Sequence, residues 1–150
     1  MDFRNAFKSD LDAIVFLLSD DPLGAKRENY TQPLPEEYGL AFERIQQQEG
    51  NSIIVAVENS EVIGCLQLTI IPGLARLGMT RAQIEGVRVA EKYRGQKVGE
   101  KLFLHAIQIA KAKGCGLVQL TTDKERNDAH RFYDRLGFVA SHVGMKLHLS

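Results

Sequence analysis

The chain predicts an α/β (α+β) fold, a mixed, mostly antiparallel twisted sheet of six to seven strands with helices on both faces and one parallel strand pair. Three observations carry this expectation. Two β-branched runs, 53–57 and 62–71, flank Glu58-Asn59-Ser60-Glu61, which suits a hairpin turn. A helical repeat over 97–113, with Val98, Leu102, Phe103, Ala106, Ile107 and Ala110 on one stripe, separates the strand-like segments 83–89 and 117–121. Two strands joined through a helix lie parallel by a right-handed crossover.

The remaining elements follow in order. Residues 2–7 alternate, with Phe3 and Phe7 opposite Arg4 and Ala6, and read as a first strand. Ser9 then caps a helix whose stripe is Leu11, Ile14, Val15 and Leu18, with Asp12 three places on in a variant capping box. Residues 20–31 read as a loop containing Pro22 and Gly24. Pro33 and Pro35 precede a second helix bearing Tyr38, Ala41, Phe42 and Ile45, which Gly50 stops. Pro72 and Gly73 end the third strand, and residues 74–81 form a loop with Arg76 and Arg81. In the fourth strand Glu85, Val87 and Val89 alternate with Ile84, Gly86 and Arg88. After the strand at 117–121, Asn127 or Asp128 caps a helix with Ala129, Phe132, Tyr133 and Leu136 on one face, ended by Gly137. Residues 138–140 and 143–149 complete a last hairpin.

The 150 residues hold 19 Lys plus Arg against 19 Asp plus Glu, so no overall field points to nucleic acid or a membrane surface. One domain over 1–150 is expected, since no composition shift divides the chain. Cys65 and Cys115 have neither C-x-x-C nor metal-ligand spacing, so no metal centre is expected and a reduced compartment fits. With no charged leader and no long apolar run, the chain reads as soluble and cytoplasmic.

The residues most telling for function are Val87-Arg88-Val89 and the turn that follows. A strand feeds a helix through Arg94-Gly95-Gln96-Lys97-Val98-Gly99, and the free first-turn N–H groups with the positive end of the helix dipole attract an anion. Lys92, Arg94, Lys97 and Lys101 add charge there. Neither G-x-G-x-x-G nor G-x-x-x-x-G-K-[ST] is present. An ordinary strand-to-helix turn with solvated cations explains the same spacing equally well.

This wording resembles motif A of the GNAT superfamily of acyl-CoA-dependent N-acyltransferases, V-x-V followed by [QR]-x-x-G-x-[GA]. Lys97 stands where that family usually has Gly, and is expected to be tolerated if it takes ordinary α-region dihedrals at the helix start. Downstream, Asn127-Asp128-Ala129-His130-Arg131-Phe132-Tyr133-Asp134-Arg135-Leu136-Gly137-Phe138 resembles the family's motif B, N-x-x-A-x-x-F-Y-x-x-x-G-F, with Ala one place early. Both matches, in this order, cover about residues 53 to 139.

The resemblance implies acetyl-CoA as acyl donor, lying where strands four and five splay apart. Val87, Arg88, Val89, Arg94, Gly95, Gln96, Lys97, Val98, Gly99, Glu100, Asn127 and Phe132 are then the binding residues. Backbone at Val87 to Val89 would pair with pantetheine like an added strand, and Asn127 would bond the same arm unless it is only a cap. For catalysis, Glu85 is the candidate base and Tyr133 the candidate acid. Their alternatives are a strand carboxylate paired with Arg88, Arg81 or a nearby Lys, and a core aromatic. The N–H of Val89 is the candidate oxyanion donor. The acceptor would be a primary amine of a small molecule or peptide, with residues 74–81 a candidate for its selection; a homodimer is left open. A non-catalytic acetyl-CoA-binding regulator on the same fold is the alternative, and a nucleic-acid-binding protein a weak third.

Overall fold

The computed structural model describes residues 1–150 apart from the side chain of Asn127. It divides into two compact units, residues 1–119 and 120–150, each taken by itself below. The first unit holds a five-stranded sheet in the order β1-β2-β3-β4-β5. The strands are β1 (Asp2–Asn5), β2 (Asn51–Glu58), β3 (Glu61–Ile71), β4 (Arg81–Val89) and β5 (Leu117–Gln119). Neighbours are antiparallel except β4 and β5, which are parallel. The helix α4 (Val98–Ala112) supplies the crossover between that pair.

The sheet is covered on both faces because its strands alternate. Directly paired residues share a face, so Val55 and Cys65 look one way while Ile54, Leu66, Leu68 and Ile84 look the other. The first face packs on α1 (Leu11–Ser19) and α3 (Glu36–Gln47), where Ile14, Leu17 and Phe42 join Val55 and Cys65 in one buried cluster. On the opposite face α4 buries Val98, Leu102, Phe103, Ala106 and Ala110. The hairpin between β2 and β3 turns on Asn59 and Ser60, both at positive φ (50° and 65°), as a two-residue primed turn requires.

Several expectations change. The cap at the start of α1 is Asp10, not Ser9: a short 3-10 turn, Lys8–Asp10, comes first, and Asp10 Oδ2 accepts the Phe7 N–H at 2.7 Å. Residues 20–31 are not all loop, for Pro22–Arg27 forms α2. Asp21 caps it by accepting the Gly24 N–H, and Pro22 sits at the first helical position, where its missing N–H costs nothing.

In the second unit, α5 (Asn127–Arg135) starts after Arg126, which makes no side-chain cap, and Asp128 lies in the first turn instead of capping it. Gly137 at φ 92° ends α5 in a Schellman pair, with Phe138 N–H bonded to Tyr133 O and Gly137 N–H to Asp134 O. The expected last hairpin is absent. Residues 138–150 form no strand, so the described sheet has five strands in place of six to seven. Alternation fits a segment for pairing but does not supply the edge it pairs with.

Candidate functional site

The site of the first unit is made by an irregularity in β4. Opposite β3, Glu85 pairs with Gln67 and Arg88 with Cys65, so two residues of β4, Gly86 and Val87, stand against Leu66 alone. This is a β-bulge, and Gly86 adopts φ +63°, a conformation that favours glycine. The bulge overturns the simple alternation: Glu85 and Arg88 share the face of Cys65, while Ile84 and Val89 share the face covered by α4. Glu85 therefore does not share a face with Val89, and it is exposed at the bulge.

Parallel pairing with β5 is confined to Arg81, Ala82 and Gln83. Beyond Gln83 the β5-side edge of β4 has no strand neighbour among the described residues. The Ala90 N–H bonds back to Ile63 O on β3 at 2.8 Å, so alternation turns the Val89 N–H to the opposite, open edge. Two guanidinium groups hold carbonyls here. Arg88 Nη1 donates to Val87 O at 2.8 Å, and Arg94 Nε donates to Val89 O at 3.2 Å. Arg88 also lies 3.7 Å from Asp21 Oδ2, which occupies its charge.

From Val89 the chain passes through a 3-10 turn, Glu91–Tyr93, and Gly95 at φ 80° into α4. Lys97 is the residue before the helix and sits at φ 64°, ψ 19°, in the left-handed region. This corrects the expectation of α-region dihedrals there, and gives a physical reason why glycine suits the position. The N–H groups of Val98, Gly99 and Glu100 find no acceptor among the described residues, and Lys101 N–H is the first to bond, to Lys97 O. Of the surrounding cations, Lys92 pairs with Glu61 at 3.2 Å, whereas Lys97 and Lys101 have no acidic partner among the described residues. Gln96 is tied down through Nε2 to Lys92 O.

A glycine that the sequence reading did not single out seats this helix end. A Cβ at Gly64 of β3 would lie 3.2 Å from Arg88 O and 3.4 Å from Val98 Cγ1, so its absence lets the first residue of α4 approach the sheet beside the end of β4. An isolated Gly inside a strand pattern is the usual signal for such a close approach or a bulge, and Gly64 and Gly86 both carry it.

Glu85 has no cation partner among the described residues. Its one hydrogen bond among the described residues is long, 3.5 Å from Gln83 Nε2, so the expected alternative, pairing with Arg88, Arg81 or a nearby Lys, is not what holds it. Burial pushes the Cys65 thiol up to about 12 and raises that of Cys115, so neither supplies appreciable thiolate at neutral pH.

The second unit carries Phe132 and Tyr133, half-buried on α5, with ring centroids 5.5 Å apart; Tyr133 and Phe138 are 6.0 Å apart. The aromatic-cluster alternative for Tyr133 thus describes its ring. The side chain of Asn127, the expected pantetheine partner, lies outside the described residues. Glu85 and the helix-end residues belong to one unit and Tyr133 to the other.

Residues 16–138 match the Acetyltransferase (GNAT) family. The chain is 36% identical over 88 residues to an aminoalkylphosphonate N-acetyltransferase of Salmonella typhimurium, and 34% identical over 88 residues to a glucosamine 6-phosphate N-acetyltransferase of Trypanosoma brucei brucei. Each match takes in 59% of this chain and 56% or 58% of the relative, so the chain spans little more than half the length of these two proteins. A solved structure described as a transcriptional regulator from Bacillus halodurans C-125 is 49% identical, with a TM-score of 0.96 over 99% of both chains. With a free-amide helix end after a bulged strand, and a family match over most of its length, this chain belongs to the GNAT acetyltransferase family.

Proposed function

We propose that residues 1–150 form one N-acetyltransferase domain that moves an acetyl group from acetyl-CoA to a primary amine of a small molecule or peptide by direct transfer. The observation that carries this reading is the end of α4. Three first-turn amides without acceptors, and two lysines without counterions, among the described residues, fit a pyrophosphate. The open edge of β4 fits the amides of a pantetheine arm, which would exchange with the Arg88 and Arg94 guanidinium groups for the carbonyls of Val87 and Val89. Family membership implies acetyl-CoA, which supplies an activated acyl group and a thiolate leaving group.

The chain's own residues then have three tasks. An alkyl ammonium of pKa about 10.4 is roughly 10⁻³ neutral at pH 7, a cost of about 4–5 kcal/mol. Glu85, exposed and without a cation partner, takes up that proton directly or through water. The open-edge N–H of Val89 faces the charge developing on the acyl oxygen. Tyr133 hydrogen-bonds the departing sulfur. Because both cysteine thiols are held protonated, transfer without an acyl-cysteine step is the simpler route.

A second reading has one observation in its favour: the protein 49% identical to this chain is described as a transcriptional regulator. A non-catalytic acetyl-CoA-binding regulator would keep the α4 grip and have no use for Glu85 or Tyr133. The test is release of free thiol from acetyl-CoA across a panel of amines that includes aminoalkylphosphonates and amino-sugar phosphates. The enzyme reading expects amine-dependent release that falls at least about tenfold in Tyr133→Phe. Acetyl-CoA binding without release on any amine supports the regulator.

A further inference from the structure

The sheet face that carries Val55 and Cys65 is apolar over only part of its length. Under α1 and α3 it is closed by Ile14, Leu17 and Phe42, but a few residues further along each strand it turns polar. Asn51, Thr69, Gln83 and Gln119 are directly paired in turn, so one row of polar side chains crosses β2, β3, β4 and β5, and Gln67 and Glu85 pair beside it. All six lie in the first unit, and all but Glu85 are half-buried.

These side chains hold one another. Gln67 Nε2 and Thr69 Oγ1 donate to Asn51 Oδ1 at 3.0 and 3.4 Å, Gln119 Nε2 donates to Gln83 Oε1 at 3.1 Å, and Gln83 Nε2 reaches Glu85 at 3.5 Å. Asn51 Nδ2 in turn donates to Gln48 Oε1, just past α3, at 2.8 Å. Fixing long amide side chains costs rotamer freedom, and Asn is poorly suited to strands; a merely solvated face gains nothing from either. Much of the bonding capacity is still open. Among the described residues Oε1 of Gln67 and Oε1 of Gln119 accept no bond, and the amide nitrogens of Gln67, Gln83 and Gln119 each use one of two N–H groups.

We infer that this row is the bed for the body of the acceptor, and that the acceptor is an uncharged, hydroxyl-rich primary amine of the amino-sugar type with its amino group at Glu85. The inference deepens the proposed acetyl transfer and rests on it for the amine at Glu85. A hydroxyl both donates and accepts, and the row offers open donors and acceptors side by side. Neighbouring strands lie roughly 4.8 Å apart, so four strands spread these groups over about 14 Å, room for several hydroxyls on one ring. Charge points the same way. The Glu85 carboxylate attracts one ammonium, while Arg81, the next residue but one before Gln83 on the same face of β4, disfavours a second cation and so sets polyamines apart. An alkylamine of the same size would leave the amides unpaired, and sites that hydrogen-bond a hydroxyl reject analogues lacking it.

Kinetics of the full chain with acetyl-CoA and three amines test it: 2-amino-2-deoxyglucose, cyclohexylamine, and a tripeptide with a free amino terminus. The expected kcat/KM for the amino sugar is at least about tenfold above that for either other amine, and the preference for the sugar over cyclohexylamine falls at least about tenfold in Gln67→Leu/Gln83→Leu. Binding is read separately by nuclear magnetic resonance. With CoA present, the side-chain amide resonances of Gln67, Gln83 and Gln119 should shift saturably on adding the amino sugar and not on adding cyclohexylamine. Transfer to cyclohexylamine or the tripeptide as fast as to the sugar overturns this inference and leaves the acetyltransferase reading standing, as does an undiminished preference in the folded double variant. Saturable shifts without transfer to any amine keep the bed and overturn the acetyltransferase reading instead. Absence of both shifts and transfer with the sugar overturns the inference outright. Should the double variant fail to fold, the wild-type preference and the amide shifts decide.

Discussion

Lys97 shows how the conformation of a single residue can depart from what its motif suggests. Its position before α4 and its lack of an acidic partner among the described residues fit an anion grip, but its left-handed dihedrals belong to a residue without a Cβ. A non-glycine residue there costs about 1–2 kcal/mol, partly offset in a glycine variant by the freer unfolded chain. Lys97→Gly is accordingly expected to raise stability by about 0.5–1 kcal/mol, a Tm gain of roughly 1–4 °C by calorimetry. A fall in Tm would show that the Lys97 side chain stabilises the turn by more than its backbone costs. The motif was legible because phosphate-type turns have fixed residue spacing; the dihedral was not, because it is set by how the 3-10 turn at Glu91–Tyr93 delivers the chain to the helix. Gly86 was misread for a related reason: alternation assumes an unbroken strand, and one inserted residue moves all later side chains to the other face.

Among elements, the joint between β1 and α1 rests on one carboxylate. Asp10, buried, accepts Arg4 Nη1 at 2.7 Å and Nη2 at 3.2 Å, and also the Phe7 N–H. The Arg4 guanidinium, helped by that amide, holds the Asp10 carboxyl below its ordinary value of 3.8. The unfolded chain thus binds the proton more readily, and stability rises with pH in that window. The contribution is complete above about pH 4 and is lost as pH falls through the lower, folded value. Asp10→Ala should cost about 2 kcal/mol at neutral pH, a Tm loss of roughly 4–8 °C, with the gap to wild type closing below about pH 4. A gap independent of pH would mean that packing, not charge, accounts for the loss. The sequence showed α3, α4 and the β2–β3 hairpin plainly, since each combines a long periodic run with a turn or stop signal. It hid α2, where six residues carry too little periodicity and only Asp21-Pro22 marks the start. The last hairpin was overcalled because alternation at residues 143–149 marks a segment suited to pairing, and the described residues form no strand there.

For the molecule as a whole, the central claim is that β4 and α4 together grip an acyl-CoA, with the bulge at Gly86 opening the strand edge and Gly64 seating the helix end beside it. A ligand bound only by the folded chain stabilises it by RT ln(1 + [L]/Kd), about 2.7 kcal/mol at one hundred times Kd. Such a grip should therefore appear both in the melting temperature and in the binding heat. The most direct measurement is calorimetric titration of acetyl-CoA into the wild-type chain and into Gly99→Asp, which sets a carboxylate in the first turn of α4 where the free amides point. The account predicts one site per chain in the wild type, and at least about a tenfold weaker Kd in the variant, equivalent to 1.4 kcal/mol, with its fold intact by circular dichroism. A folded Gly99→Asp that binds acetyl-CoA as tightly as the wild type would contradict it.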